Sequence, residues 1–360
     1  MEKKRYHNID FLRIVLISAI ILHHFIHAAT GHWNSGGYAV EFFFVIAGFV
    51  FYMTYKAQKS LSEYVVEKLI KFMPLLICTS LTLAFCTKFK GQQFLADIFL
   101  MQKTGLYVSN GGFGYNTPAW FVSVLFWVLL FIFSLRKNLK EETANLILGT
   151  MAFFAFIIYA NKQNVLYTDP RIFRGFSAIC VGYFSGIITK YLENTFIIHK
   201  SKIITMFEIL ITSYLFNILF TFSKITNKLG LVFLMGVIVI LFSLRKGYFS
   251  TLLNREIFTK ISAYIFPIFI THSLLYHSHP IFKYFKQICD NTIVICVVGF
   301  IASWLLGIIA YHFLQIPIER YLKQIFSVIK AENPCGSRER ERERERVIFF
   351  PEFLFKQFAV

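Results

Sequence analysis

Arg13 and His24 are the two residues of this sequence whose types and spacing best fit chemistry. Both stand inside one hydrophobic segment, residues 9–29, where ionisable side chains are costly and usually have a function. Eleven positions make about three turns of α-helix, so the two side chains share a face and lie about 16 Å apart along the axis. Arginine binds anions and histidine moves protons near neutral pH. With Asp10 and His27 near the same face, the pair predicts a polar stripe that lines a buried path.

The elements that must position these residues are membrane-spanning helices. Of the 360 residues, 56% are hydrophobic and 16% are charged, and apolar runs of about 18 to 22 residues recur along the chain. The predicted fold class is therefore all-α, a polytopic membrane helix bundle of about ten transmembrane helices. The predicted spans are residues 9–29, 38–56, 69–87, 119–135, 144–160, 175–191, 203–222, 229–244, 257–277 and 291–313. The first span has no clear small-residue cleavage site after it, so we expect it to be retained as a helix.

The distribution of positive charge predicts the orientation. Lys and Arg favour cytoplasmic loops. When residues 3–5 are placed inside, the inner loops hold twenty Lys and Arg and the outer loops ten. We therefore expect a multi-pass protein of the cell inner (plasma) membrane with both termini cytoplasmic. The formal net charge of +17 is spread over short loops, which indicates contact with membrane lipids and argues against a nucleic-acid partner.

Neither a disulfide framework nor a metal is expected. The six cysteines form no C-x-x-C pair and mostly lie in apolar runs. A metal held by His23, His24 and His27 is a weaker interpretation than hydrogen bonding of these side chains within the bundle.

With this orientation, the unusual polar residues sort by depth. The inner ends of the helices carry Arg13, Lys68, Lys71 and Gln315. The outer half or outer surface carries His24, Glu41, Trp120, Arg174 and His272. Cations at an inner mouth, with a histidine and a carboxylate farther out, predict a protein that takes an anionic substrate from the cytoplasm and acts on it deeper in the membrane.

Six short segments make the most specific pattern in the chain. They are Asp10-Phe11-Leu12-Arg13 with His24, Val40-Glu41-Phe42-Phe43-Phe44-Val45-Ile46-Ala47-Gly48-Phe49, Lys68-Leu69-Ile70-Lys71-Phe72-Met73-Pro74, Pro118-Ala119-Trp120-Phe121, Ile268-Phe269-Ile270-Thr271-His272 and Leu314-Gln315-Ile316-Pro317. In this order they resemble the membrane-bound acyltransferase 3 family, over residues 8 to about 325. The sequence departs from that family's usual pattern at Ala47, Leu125, Ile265 and Gln315, which concerns subgroup and substrate more than reaction type.

The resemblance implies transfer of an acyl group, usually acetyl, from cytoplasmic acetyl-coenzyme A to a hydroxyl. The acceptor would be a cell-envelope carbohydrate, such as lipopolysaccharide, capsule, another glycan or a lipid-linked sugar. Coenzyme A is a polyanion, so Arg13, Lys68 and Lys71 are the expected donor-binding residues. His24 is the expected general base that removes the proton of the attacking hydroxyl, and an acyl-histidine intermediate is the less favoured variant.

The other residues in the family-like segments receive less specific roles. Glu41 is expected to orient His24 and stabilise its imidazolium, or else to contact the acceptor. Trp120, Arg174 and His272 are the expected substrate-binding residues. Trp120 also fits an aromatic belt at the membrane interface, so both interpretations stay open.

Two other classes of function stay open at this point. A multi-pass transporter of a glycan precursor or anion would use Arg13 and His24 to line its route. Paired broken helices would favour transport, and Pro267 is the candidate break. A binding or regulatory membrane protein would tolerate replacement of His24 and of Glu41.

The chain is predicted to have two parts. Residues 1–330 form an acyltransferase 3-type transmembrane domain, and residues 331–360 form a charged tail that is expected to be disordered. The tail contains an alternating Arg-Glu run over residues 338–346, which needs no packed core.

Overall fold

Helices are the regular secondary structure of the described residues. The computed structural model describes residues 5–87, 89–161, 169–195, 199–222, 228–276, 287 and 291–332, and no strand occurs within these ranges. The predicted all-α membrane helix bundle is confirmed.

The helices are numbered here in chain order. They are α1 (His7–Thr30), α2 (Ala39–Thr54), α3 (Leu61–Cys86), α4 (Gly91–Ile98), α5 (Trp120–Asn138), α6 (Glu141–Ala160), α7 (Pro170–Thr195), α8 (Lys202–Phe220), α9 (Lys228–Leu244), α10 (Tyr248–Leu252), α11 (Glu256–Ser262), α12 (Ile265–Thr271), α13 (Ser273–Tyr276), α14 (Thr292–Ala310) and α15 (Ile316–Glu332). Short 3-10 helices occur at Ser35–Tyr38, Ser109–Gly112 and Thr117–Ala119, and a π-helical turn at Tyr311–Gln315.

Within the described ranges, eight helical runs are long and apolar enough to cross a membrane. They are His7–Thr30, Ser35–Thr54, Leu61–Cys86, Thr117–Asn138, Glu141–Ala160, Pro170–Thr195, Lys202–Phe220 and Thr292–Val328. These runs correspond to eight of the ten predicted spans. A ninth predicted span corresponds to α9, which is apolar but has only 17 residues.

The predicted span 257–277 is not one helix over its described residues. It is divided into α11, α12 and α13, with interruptions around Ala263 and at His272. Pro267 explains the first interruption, because a proline ring collides with the carbonyl four residues earlier, here that of Ala263. Pro267 instead lies in the first turn of α12, where a backbone N–H would have no helical partner. The second interruption leaves His272 between two short helices.

Helices α2 and α7 make the most extensive helix contact of the described bundle. A Cβ on Gly48 would overlap the Ile179 carbonyl, and a Cβ on Gly182 would overlap the Val45 carbonyl. Each glycine therefore lets the backbone of one helix touch the backbone of the other, as small residues do in membrane bundles.

Replacing Gly48 with alanine is expected to destabilise the protein by about 1–3 kcal/mol, because the new methyl group has no space against the α7 backbone. The matched control is Gly149→Ala in α6, whose Cβ would lie 3.6 Å from the Phe184 ring, an ordinary contact. Alanine also favours the helix over glycine by up to about 1 kcal/mol. Thermal unfolding in detergent should therefore give a lower midpoint for Gly48→Ala and an unchanged or higher one for Gly149→Ala. Equal midpoints would contradict the close backbone contact.

The chain divides into two units, Met1–Gln315 and a second that begins at Ile316. In the second unit, α15 carries an ion pair between Lys323 and Glu319, with an N–O distance of 3.0 Å. Residues 333–360 lie outside the described residues, so the predicted disorder of the tail and its Arg-Glu run stay predictions.

Candidate functional site

His24 meets two side chains from the interrupted helix. Helix α1 carries both Arg13 and His24, as predicted. The His24 ring stacks on the Tyr276 ring, with centroids 4.6 Å apart and planes inclined by 15°. The His272 ring lies 5.3 Å from the His24 ring and 5.3 Å from the Tyr276 ring. The structure thus brings together the two predicted histidines and adds Tyr276, which was not predicted.

The surroundings of His272 determine which of its nitrogens carries the proton when the ring is neutral. The side chain is buried, and Nδ1 lies 2.7 Å from the Phe269 carbonyl oxygen. A carbonyl oxygen can only accept, so Nδ1 is the donor and Nε2 holds a lone pair. Within the described chain, no donor binds Nε2. His272 therefore offers a hydrogen-bond acceptor beside His24.

Asn116 holds the segment that carries His272. Its Nδ2 donates to the Ile270 carbonyl at 3.0 Å and to the Thr79 hydroxyl at 2.9 Å. Its Oδ1 accepts from the Ser273 hydroxyl at 3.1 Å. All four of these residues are buried, where unpaired polar groups are costly. The loop before α5 therefore ties α3 to the interruption between α12 and α13.

Asp97 orients Asn116 in turn. The Asp97 carboxylate accepts the backbone N–H of Tyr115 at 3.0 Å and of Asn116 at 3.3 Å, and also the Gln102 amide. Gly114 is required beside it, because a Cβ there would overlap the carboxylate. Burial raises the pKa of Asp97 to about 6, although these hydrogen bonds act in the opposite direction.

This raised pKa predicts a pH-dependent stability. An unfolded aspartate has a pKa of about 3.9, so between about pH 4 and 6 the folded protein retains a proton that the unfolded chain has lost. The free energy of unfolding should therefore fall as the pH rises through this window, by up to about 3 kcal/mol, and level off above it. Thermal unfolding between about pH 4 and 7 should show this slope in the wild type and in Glu142→Gln, an exposed control. Asp97→Asn should lose it, and an unchanged slope in that variant would assign the effect to another group.

The predicted donor-binding residues gather near the start of α1. Arg13 Nη1 donates to Asp10 at 3.3 Å, and Asp10 also accepts from the Thr259 hydroxyl of α11 at 2.6 Å. Lys68 of α3 interacts electrostatically with Arg13 and with Lys71. Lys68 is therefore within electrostatic reach of both other predicted cations, and a bound anion would relieve its repulsion from them.

Glu41 pairs with Arg174 and not with His24. Arg174 Nε donates to one carboxylate oxygen at 2.6 Å, while its Nη2 donates to the other oxygen and, at 2.9 Å, to the Gly37 carbonyl. The Tyr159 hydroxyl also donates to Glu41, at 3.0 Å. The prediction that Glu41 orients His24 is therefore wrong, because a bidentate guanidinium and a phenol occupy its buried carboxylate. Contact between Glu41 and an acceptor stays a prediction.

Trp120 and Arg174, both predicted to bind substrate, lie together. The Arg174 guanidinium is 5.5 Å from the centre of the Trp120 ring, and the guanidinium of Arg171 is 5.7 Å from it. At these distances the ring attracts both cations. Glu41, Trp120 and Arg174 thus form a second group, in addition to the group of His24, His272 and Tyr276.

The turn Ser35–Tyr38 connects the two groups. His23 Nδ1 lies 2.7 Å from Asn34 Oδ1, next to this turn. A Cβ on Gly37 would lie 3.0 Å from the His23 ring, and the Gly37 carbonyl accepts from Arg174. In the part of the chain that the structure describes, no three His, Cys, Asp or Glu side chains are grouped to hold a metal ion.

Sequence reasoning missed Asn116, Asp97, Tyr276, Tyr159 and Arg171. An Asn and an Asp in a predicted outer loop carry no signal of burial, and two tyrosines in apolar segments carry little. Arg171 had a usable signal, because it stands three positions before Arg174 and so shares its helix face.

Most of the chain matches a known protein family. Residues 6–312 match the model of the acyltransferase 3 family, which is described as an acyltransferase domain. The chain belongs to the acyltransferase 3 family. The resemblance is thereby confirmed for the five segments within residues 6–312, and the segment Leu314–Pro317 lies beyond the match. The protein is a membrane acyltransferase. No curated protein and no solved structure matches the chain. The transporter and regulatory interpretations gain no support from the family to which it belongs.

Proposed function

We propose that the protein is an inner-membrane O-acetyltransferase. It moves an acetyl group from cytoplasmic acetyl-coenzyme A to a hydroxyl of an envelope carbohydrate, such as lipopolysaccharide, capsule or another glycan. The observation that carries the proposal is the position of His24, beside the rings of His272 and Tyr276 and on the same helix as Arg13. Membership of the family establishes acyl transfer. The identities of the donor, of the acyl group and of the acceptor are proposed.

Arg13, Lys68 and Lys71 bind the phosphates of the donor in this proposal. The Lys68 ammonium, within electrostatic reach of the Arg13 guanidinium and the Lys71 ammonium, suits the binding of a polyanion together with them. The thioester arm of coenzyme A then extends along α1 toward His24, about 16 Å away along the helix axis.

His24 acts as the general base. It removes the proton of the acceptor hydroxyl while that oxygen attacks the thioester carbonyl carbon. A carbon–oxygen bond forms, the carbon–sulfur bond breaks, and coenzyme A leaves as a thiolate that takes up a proton. The Nε2 lone pair of His272 accepts a hydrogen bond from the acceptor hydroxyl or from His24, which holds the reacting groups in register.

The acceptor approaches from the outer face, and both termini are cytoplasmic, as the distribution of Lys and Arg predicts. Trp120 and Arg174 contact the sugar there, because an aromatic ring offers a flat apolar face and a guanidinium offers hydrogen-bond donors.

Replacing Arg13 with alanine is expected to weaken the binding of acetyl-coenzyme A about tenfold or more. A hydrogen bond to a charged group contributes about 1.5–3 kcal/mol, and about 1.4 kcal/mol is a factor of ten in affinity. Titration of the purified protein with acetyl-coenzyme A measures the change. Arg255→Ala, an exposed arginine on the same predicted side of the membrane, is the matched control and should bind as the wild type does. Unchanged donor affinity in Arg13→Ala would remove this residue from the donor site.

Mass spectrometry of surface glycans tests the proposed function as a whole. Glycans from a strain that lacks the protein should be lighter than those of its parent by one acetyl group per modified sugar, and fragmentation should locate that sugar. The wild-type gene should restore the mass and the His24→Ala gene should not. Identical glycans in the deletion strain and its parent would refute the proposed acceptor class.

A further inference from the structure

An open cavity lies at the start of α7, beside the Glu41–Arg174 pair. It has a volume of about 270 Å³ and is lined by Tyr159, Asp169, Pro170, Arg171 and Arg174. Asp169 begins α7 by accepting the Arg171 backbone N–H at 2.9 Å, and the following proline suits the first helical position. The wall of this cavity is therefore a capped helix start, which holds its side chains in fixed positions.

The charges around the cavity do not balance. Among the described residues that form ion pairs there, three cations, Lys103, Arg171 and Arg174, face two carboxylates, Asp169 and Glu41. Arg174 is held by Glu41 through both carboxylate oxygens. Lys103 is buried and donates to Asp169 at 2.8 Å and to the Gly111 carbonyl. Within this set of described residues one positive charge is left over, and Arg171 carries it, because it shares Asp169 with Lys103.

Arg171 has unused donors at the cavity. Its Nη1 reaches the two Asp169 oxygens at 3.5 and 3.2 Å. Its Nε and Nη2 have no acceptor within the described chain, and 36% of its side chain is exposed. The guanidinium is 5.0 Å from the centre of the Phe113 ring and 5.7 Å from that of Trp120. Two aromatic contacts and one carboxylate therefore restrict the guanidinium, and its remaining edge presents the fork of donors that matches an oxyanion.

We infer that this cavity binds an oxyanion on the acceptor, a carboxylate or phosphate attached to the sugar, through Arg171. The inference rests on the proposed function in one respect, that the acceptor is a carbohydrate. A neutral sugar would leave the surplus charge uncompensated, whereas a uronic acid or sugar phosphate would neutralise it and place its ring near Trp120. The acidic group would then serve as the recognition mark, and a neighbouring hydroxyl would receive the acetyl group.

Binding without any acyl donor tests this inference. The purified protein in phosphatidylcholine nanodiscs is titrated calorimetrically with methyl β-glucuronide and with methyl β-glucoside, which differ only in the carboxylate. The wild type should bind the glucuronide at least tenfold more tightly than the glucoside. Arg171→Gln should abolish that preference, and Arg171→Lys, which keeps the charge but lacks the fork, should retain only part of it. Arg320→Gln, an exposed arginine of α15, is the matched control and should keep the full preference.

Three results would overturn the inference. They are equal affinity of the wild type for the two sugars, an unchanged preference in Arg171→Gln, and loss of glucuronide binding when the nanodiscs contain phosphatidylglycerol, which would assign the cavity to a lipid headgroup. A protein that prefers the glucuronide but transfers no acetyl group would refute the proposed function and leave the oxyanion site standing. A protein that acetylates a neutral glycan without preferring the glucuronide would refute the oxyanion site and leave the proposed function standing.

Discussion

Membranes that contain the His24→Ala variant are expected to transfer no measurable acetyl group, although the variant accumulates to the wild-type level. A positioned general base contributes about 10²- to 10⁴-fold to such a reaction, and His24, the proposed base, is also in ring contact with His272 and Tyr276. His24 is half-buried, so its removal should cost little stability compared with its effect on the rate. Transfer of labelled acetyl from acetyl-coenzyme A to glycan measures the loss.

The control for this variant is His32→Ala, because His32 is an exposed histidine two residues beyond the end of the same helix. It should transfer acetyl at the wild-type rate. Thermal unfolding of both variants separates a catalytic defect from a folding defect. If His24→Ala retains activity while folded, His24 is not the base, and His272 becomes the first residue to replace.

Removing the Glu41 carboxylate is expected to produce the largest loss of stability. In Glu41→Ala, Arg174 would keep its charge in a site of which little is exposed, without the two oxygens that now accept from it. Breaking a buried ion pair by removing one partner costs about 3–5 kcal/mol. The thermal unfolding midpoint in detergent should therefore fall well below that of the wild type, and the expression level should fall with it.

A double replacement distinguishes the unpaired charge from other causes. In Glu41→Gln with Arg174→Gln, no charge is left buried, so part of the lost stability should return. Glu256→Ala is the matched control, because its ion pair with Lys260 is highly exposed, and such pairs contribute little. A Glu41→Ala variant as stable as the Glu256→Ala control would contradict the role of the pair in holding α2 against α7.

Features that depend on a single helix could be predicted from the sequence. Hydrophobic length and a period of 3.6 residues were enough to place Arg13 and His24 on one face of α1. The partner of Glu41 was not predictable in this way, because Arg174 lies 133 positions away and the register of α2 against α7 depends on packing. Because Glu41 and His24 are in the same predicted outer half, the sequence suggested that they pair. In the structure, Glu41 instead binds the Arg174 guanidinium.

The interrupted helix shows the same limit. Pro267 signalled a break, and its ring, which would collide with the carbonyl of Ala263, explains why α11 ends at Ser262. The interruption at His272 has no such residue, and it is held by Asn116, whose buried hydrogen bonds join segments distant in sequence. A single sequence contains no local signal for such a bond, which explains why Asn116 and Asp97 were missed.

The close contact between α2 and α7 at Gly48 and Gly182 limits how substrates can enter and leave. Gly48 lies seven residues after Glu41, and Gly182 lies eight residues after Arg174, so the contact is about two turns from the ion pair on both helices. Backbones that touch leave no room for one helix to slide or roll past the other. Helices α2 and α7 therefore move as one rigid unit. Any opening that admits an acceptor or releases a product must come from hinge motion of other segments relative to this unit.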